Sequence, residues 1–264
     1  MLPEFYASMY EPLETLSYVA AATERIKLGT AVLVAPLHVP VMLARRLATL
    51  DRFSGGRVIA GLGQGWQHNE FETANVPSSR KGARTEEFIT AMRAAWAPDP
   101  VRHDGEFYRI APSQVNPKPV QARIPVLLAT NTPAAIKRAG WIADGLIPIT
   151  SSAQELRGIV SAFHDAAREA GRDPGDLMVV NQAPWPTPVT REPLGDGRPF
   201  LGGSPRQIAE DLMAAREVGA TQVYLAGGQG LGLDVGLQAA DVDQWLELLG
   251  EVIDAACRLG VSAA

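Results

Sequence analysis

The sequence predicts an α/β fold built on a parallel sheet, and three observations carry that expectation. Short apolar runs rich in β-branched residues recur along the chain, amphipathic helical patterns lie between them, and glycine or proline marks the joins. Strand and helix alternate without a composition break long enough to be a linker, so residues 1–264 are expected to form a single domain.

The first run, 28–35 (LGTAVLVA), reads as a strand buried on both faces. Further strands are expected at 58–62, 124–129, 145–149, 177–182 and 222–226. Between the first two, Val39, Leu43, Leu47 and Leu50 share one helical face, and after the second Phe88, Ile89, Met92 and Trp96 share another. Thr132 followed by Pro133 opens a third helix. Ser152 with Glu155 reads as a capping box that starts a helix over 152–170, and Ser204 with Pro205 and Gln207 reads as another for 204–218. Gly171 and Gly219 stand where these two helices should stop, because glycine tolerates the left-handed conformation there. A closed eight-stranded barrel takes about 250 residues, yet only six strands are legible in these 264. Two Pro-rich stretches, 97–123 and 183–203, account for the remaining length as excursions from the sheet.

Composition restricts the function classes. Hydrophobic residues make up 46% and charged residues 20%, the balance of an ordinary globular protein. Basic residues number 24 and acidic ones 29, and the net charge of −5 opposes both a nucleic-acid footprint and an anionic membrane surface. A lone cysteine, Cys257, cannot form an internal disulfide or supply a thiolate metal site. No run approaches the ~20 apolar residues of a membrane span, and the first residues, Met1-Leu2-Pro3-Glu4-Phe5, lack the pattern of a signal peptide. A cytoplasmic address is therefore expected.

Few local motifs point to chemistry. The segment GLGQGW at 61–66 follows a strand, but Trp66 takes the third glycine position of a dinucleotide fingerprint, leaving a ligand loop and a plain tight turn as alternatives. Thr132 before a helix and the hydroxyl-rich Thr150-Ser151-Ser152 could each receive an anion, and helix capping explains them equally. The four histidines show no metal-ligand spacing, so no metal is expected. His38 and His68 follow predicted strands and are the candidates for proton transfer near neutral pH. Arg80, Lys81, Arg84, Glu86 and Glu87 read as a solvated helical face with charge pairs.

Taken in order, ATERIKLGTAVLVAP, LARRLATLDRFSGGRVIAGLGQGWQHNEFE, RTEEFITAMRAAW, HDGEFYRI and NPKPVQ resemble the luciferase-like flavin-dependent monooxygenase family, most nearly its branch using the deazaflavin coenzyme F-420. The likeness runs from about residue 11 to 148 and more weakly to 223. It implies a (β/α)8 TIM-barrel fold with the cofactor at the C-terminal ends of the strands. It also implies a non-proline cis peptide between Ala31 and Val32 under the ring, and ring contacts from Gly65, Trp66 and Asn69. A phosphate-bearing tail would lie at Asn131, Thr132, Thr150 and Ser151, and His68 or His38 would donate a proton.

Two departures accompany the resemblance. Family members open with a strand, a helix and a second strand that this sequence lacks, so the barrel is expected without its first two strands and with open edges that a homodimer would cover. Many relatives have Gly-Gly where Asn131-Thr132 stands. The function implied is an oxidoreductase using reduced coenzyme F-420, or alternatively FMN, for hydride transfer or oxygen activation on a small organic substrate. The alternative is a truncated, non-catalytic relative that binds a flavin-like ligand or a partner.

Overall fold

The computed structural model describes residues 10–184, 187–225 and 239–261, and the chain divides into two compact units. The first comprises 10–129 with 141–145, and the second comprises the described residues of 130–140 and 146–264.

In the first unit the order is α1 (Pro12–Ala22), β1 (Leu28–Gly29), β2 (Leu33–Val34), α2 (Pro40–Ser54), β3 (Val58–Gly63), α3 (His68–Thr73), α4 (Lys81–Trp96), β4 (Val101–Asp104), β5 (Arg109–Ser113) and β6 (Val126–Ala129). β3 is the central strand: Leu28 pairs with Val58, Leu33 with Leu62 and Ala60 with Val126, all parallel. Its near-continuous burial is the pattern of a parallel strand covered on both faces. The strand expected over 28–35 is interrupted. The Thr30 hydroxyl donates to the Gly61 carbonyl at 2.8 Å and accepts the Gly61 N–H at 3.0 Å, so a side chain replaces the ladder where β1 ends. The next peptide, Ala31–Val32, is cis.

Leu43, Leu47 and Leu50 on α2 and Phe88, Ile89 and Met92 on α4 are buried as their spacing predicts. Val39 is not: it is the N-cap, outside the first helical turn, and 59% exposed. Trp96 stays half-buried, and its indole N–H donates to the Ala44 carbonyl of α2 at 2.9 Å. The excursion over 97–123 contains the antiparallel hairpin β4–β5. Its return is held by the buried Asp51 carboxylate, which accepts the Val120 and Gln121 N–H groups at 2.8 and 2.9 Å.

The charged cluster at the start of α4 is a solvated face only in part: Arg80 and Glu86 are exposed, whereas the hairpin from 97–123 engages Glu87 and Arg84. Glu87 is largely buried and accepts the backbone N–H groups of Glu106, Phe107 and Tyr108 at 3.0, 2.9 and 2.7 Å, while His103 Nε2 stands 3.5 Å away. Arg80 and Arg84 lie over the Phe107 ring, and Arg80 also pairs with Glu106. Local spacing could not reveal this, since the partners lie about twenty residues away. Burial by itself would raise the Glu87 pKa, but the hairpin amides and His103 outweigh it and hold the carboxyl below its ordinary value. A carboxylate stabilised in the folded state contributes above its unfolded pKa, and the contribution is lost as pH falls through the folded one. Glu87→Gln is therefore expected to cost about 1–2 kcal/mol at neutral pH. Urea unfolding should show the gap from the wild type closing as pH drops below 4.5.

The second unit contains α5 (Pro133–Ile142), β7 (Gly145–Ile147), α6 (Ala153–Glu169), β8 (Met178–Gln182), α7 (Pro205–Glu217), β9 (Gln222–Tyr224) and α8 (Ala239–Arg258), α5 and β7 each lying across the division of the chain. β8 and β9 are parallel, with Val180 opposite Gln222, and a parallel bridge joins Ile149 to Gln182. Residue 226, the expected end of the last strand, lies outside the described residues. The capping box expected at Ser204 forms, while at Ser152 only the hydroxyl half does, because the Glu155 carboxylate takes the Ser151 N–H instead of the Ser152 N–H. The Ser152 hydroxyl accepts the Glu155 N–H at 3.1 Å, and Gln207 Oε1 accepts the Ser204 N–H at 3.0 Å. Gly171 and Gly219 follow the two helices at φ +70° and +106°. Among the described residues no helix is long and apolar enough to cross a membrane.

Candidate functional site

In the first unit Ala31 and Val32 lead into β2, which runs beside the end of β3, so that Val32 lies against Gly63 and Val34 against Gly65, with Trp66 next along the loop. The two glycines there are required by close packing. A Cβ on Gly63 would stand 2.6 Å from Val32 Cγ2, and one on Gly65 would meet Val34 Cγ1 at 2.7 Å and Phe71 Cε2 at 2.9 Å. Gly65 also has φ +73°, which favours glycine on backbone grounds. The loop can thus lie flat on β2 and α3, leaving Trp66 71% exposed beside it. Lys81 completes the arrangement from α4: its ammonium donates to the Gly65 carbonyl at 3.1 Å and sits 4.0 Å from the centre of the Phe71 ring.

His68 and Asn69 are the first two residues of α3, and both are exposed. The His68 side chain is 73% exposed, with the Glu72 carboxylate 3.5 Å from Nε2. His38 is half-buried just past a 3-10 turn at Ala35–Leu37. Burial, then the positive charge of Arg46, lowers its pKa against the opposing pull of Glu11. Its imidazole is therefore neutral at pH 7, a state suited to accepting a proton more than to acting as a cationic acid.

The second unit assembles a hydroxyl cluster. Asn131 joins two strand ends with its side-chain amide, donating from Nδ2 to the Ile149 carbonyl and accepting the Ile149 N–H at 3.0 Å. This holds the Thr130–Thr132 segment beside Thr150 and Ser151. The Thr130 and Thr132 hydroxyls lie 3.3 Å apart, and the Thr132 carbonyl accepts the Ala135 and Ile136 N–H groups of α5. Ser151 is exposed, but its backbone N–H already donates to Glu155 Oε2 at 2.7 Å. Thr150 is buried and donates to Asn181 Oδ1 at 2.9 Å, so it supports the cluster from beneath. Asn181 Nδ2 is buried without a partner.

Sequence reasoning missed Lys81, Thr130 and Asn181. Lys81 acts on a loop sixteen residues away and Asn181 on a hydroxyl thirty-one residues away, distances at which no local pattern operates. Thr130 had a signal in the Thr-Asn-Thr run at a strand end. No group of metal-ligating side chains occurs among the described residues, and Cys257 is free and exposed.

Comparison with known proteins gives a consistent set of similarities. A family model described as luciferase-like monooxygenase matches residues 2–185. An uncharacterised protein of Mycobacterium tuberculosis is 36% identical over 211 residues, covering 79% of this chain and 74% of that protein. The F420-dependent glucose-6-phosphate dehydrogenase of Nocardia farcinica is 33% identical over 176 residues, 63% of this chain and 52% of the enzyme. The FMNH2-dependent dimethylsulfone monooxygenase of Pseudomonas putida is 31% identical over 162 residues, 60% and 44% respectively. Among solved structures, the coenzyme F420 dependent tetrahydromethanopterin reductase of Methanopyrus kandleri superposes with a TM-score of 0.73 at 20% identity, covering 83% of this chain and 82% of the reductase.

Proposed function

The chain belongs to the luciferase-like monooxygenase family, and from that premise we propose that it is an oxidoreductase binding a reduced flavin-type coenzyme, F-420 in preference to FMN. Its substrate would be a small organic molecule. The observation that carries this reading is the exposed hydroxyl cluster of Thr132 and Ser151, with Thr130 beside them, held in register by the Asn131 amide. Neutral hydroxyl donors just ahead of two helices suit a phosphate oxyanion. The glycine-flattened end of β3, with Trp66 beside it, suits an aromatic ring.

The bound coenzyme would supply the hydride or the reducing power toward oxygen, and the protein would position it and exclude water. Within that division, Gly65 lets the loop lie close to the ring, Trp66 covers it, and Asn69 and His68 face solvent where a substrate would enter. His68 is proposed as proton donor, and His38, neutral and half-buried, as the other titrating group. Relatives in the comparison use either coenzyme, as their names state.

Titrating the protein with F-420 and FMN in parallel, followed by fluorescence, tests the assignment. Tighter binding of F-420 is expected, equal or tighter binding of FMN would move the assignment to FMN, and binding of neither would refute it. Asn131→Ala should weaken FMN or F-420 binding by about tenfold, equivalent to ~1.4 kcal/mol. Riboflavin, which lacks the phosphate, should bind the variant and the wild type alike. Equal loss for riboflavin would take the phosphate away from this cluster.

A further inference from the structure

We propose that the cavity among α7, β9 and α8 is a second binding site, taking a free medium-chain fatty acid with its chain along β9 and its carboxylate on Arg216. The proposal is independent of the coenzyme reading above. α8 is seated on α7, where Leu248 and Val252 pack with Ile208, and Ala255 and Ala256 with Ala209. Toward β9 the three elements do not close, and a cavity of about 640 Å³ remains among them. That volume falls within the ~300–1,000 Å³ of small-molecule sites. Leu212 of α7, Val223 and Leu225 at β9, and Leu249 and Ile253 of α8 form its apolar wall. The first four stay half-buried and Ile253 is 49% exposed, so apolar surface that packing would ordinarily cover faces the cavity.

Charge and length select the occupant. Arg216, in the last turn of α7, is the charged residue of the lining, and among the described residues no carboxylate lines the cavity or pairs with it. Its Nη1 donates to the Gly260 carbonyl at 2.6 Å, just past the end of α8, which fixes the guanidinium and leaves most of its five donors for another oxygen. A guanidinium fork matches a carboxylate through two parallel hydrogen bonds. From Thr221 to Leu225 the lining follows β9 for about 13 Å of extended backbone, a length that a decanoate chain matches. Apolar walls favour such a chain because it displaces water from them, and a single cation at one end sets its direction. Arg216 and Thr221 come just before β9, whereas Ser151 lies past the parallel Ile149–Gln182 bridge at the C-terminal end of β8. The carboxylate end therefore sits at the opposite end of the strands from the hydroxyl cluster.

Calorimetric titration with decanoate, decanol and decyltrimethylammonium, each below its micelle or solubility limit, tests the site. It would be run on the wild type, Arg216→Gln and Leu249→Trp, with circular dichroism as the folding control. Decanoate is expected to bind the wild type more tightly than decanol does. Arg216→Gln should weaken decanoate about tenfold and leave decanol unchanged. Leu249→Trp, which fills the cavity from α8, should weaken both at least about tenfold; if it does not fold, the contrast in Arg216→Gln still decides. No binding of decanoate, equal binding of the cationic analogue, or equal loss of decanoate and decanol in Arg216→Gln would each overturn the proposal. So would a wild-type dimer that takes up no decanoate and that Leu249→Trp converts to a monomer in sedimentation, because the cavity would then belong to a second copy of the chain. Saturating F-420 should leave decanoate binding unchanged, and displacement would put the chain in the coenzyme site and overturn the proposal. Failure of F-420 to bind would overturn the coenzyme reading alone.

Discussion

Arg57→Ala is expected to destabilise the first unit by about 3–5 kcal/mol, the range for stranding the partners of a buried charged group. The side chain is buried, yet its partners are carbonyl and hydroxyl oxygens. Nε donates to Ser54 O at 2.7 Å, one terminal nitrogen donates to Thr23 Oγ1 and Ile26 O at 2.9 Å each, and the other donates to Ala20 O at 3.0 Å and Thr23 O at 2.8 Å. α1 ends at Ala22 with Thr23 in extended conformation and no basic residue in its last turn. Its final carbonyls would otherwise lack partners, and Arg57 satisfies them from another part of the chain while opposing the negative end of the helix dipole. Urea unfolding should show the loss as a lowered midpoint at unchanged slope. Arg57→Lys should recover only part of it, because three donors on a point charge cannot reproduce five in a planar fork. Full recovery by lysine would show that charge alone matters.

The second large effect is expected at Gly65. Gly65→Ala places a non-glycine residue at φ +73°, which costs about 1–3 kcal/mol. The new Cβ also stands 2.7 Å from Val34 Cγ1 and 2.9 Å from the Phe71 ring, so either the loop or the buried ring must move. Because Lys81 is anchored to the same peptide and ring, the displacement should carry into the coenzyme face. Coenzyme affinity is expected to fall at least about tenfold in a protein that still folds. Gly55→Ala provides the control. Gly55 also has a left-handed φ, +66°, but nothing lies within 4 Å of its would-be Cβ. It should show the backbone cost alone and leave binding unchanged. If the two variants lose stability and affinity equally, close packing is not what the Gly65 position requires.

Some of this molecule was open to reading from the chain alone. The six strand positions, the caps at Ser152 and Ser204, and the glycines after α6 and α7 follow from contacts within a few residues, where side-chain chemistry and backbone preference act directly. The luciferase-like resemblance also named the Ala31–Val32 peptide, which is cis. The same local logic failed at Val39, where apolar periodicity ran one residue past the helix, and within 28–35, where Thr30 bonds to Gly61 in place of the ladder.

The sequence by itself determined the α/β class, the alternation of the parallel strands with the helices between them and the glycine-bearing strand end, because periodicity and capping are short-range properties. α1, α3 and the β4–β5 hairpin were not legible in it. Tertiary structure decided the partners of the charged and polar side chains. Glu87 closes a hairpin, Arg57 ends a helix, Asn131 joins two strands and Lys81 holds Gly65, each across sixteen or more residues. Such side chains are indistinguishable from solvated surface in a linear pattern. Their roles arise only when folding removes water from them and brings an amide, a carbonyl or an aromatic ring within hydrogen-bonding or stacking distance.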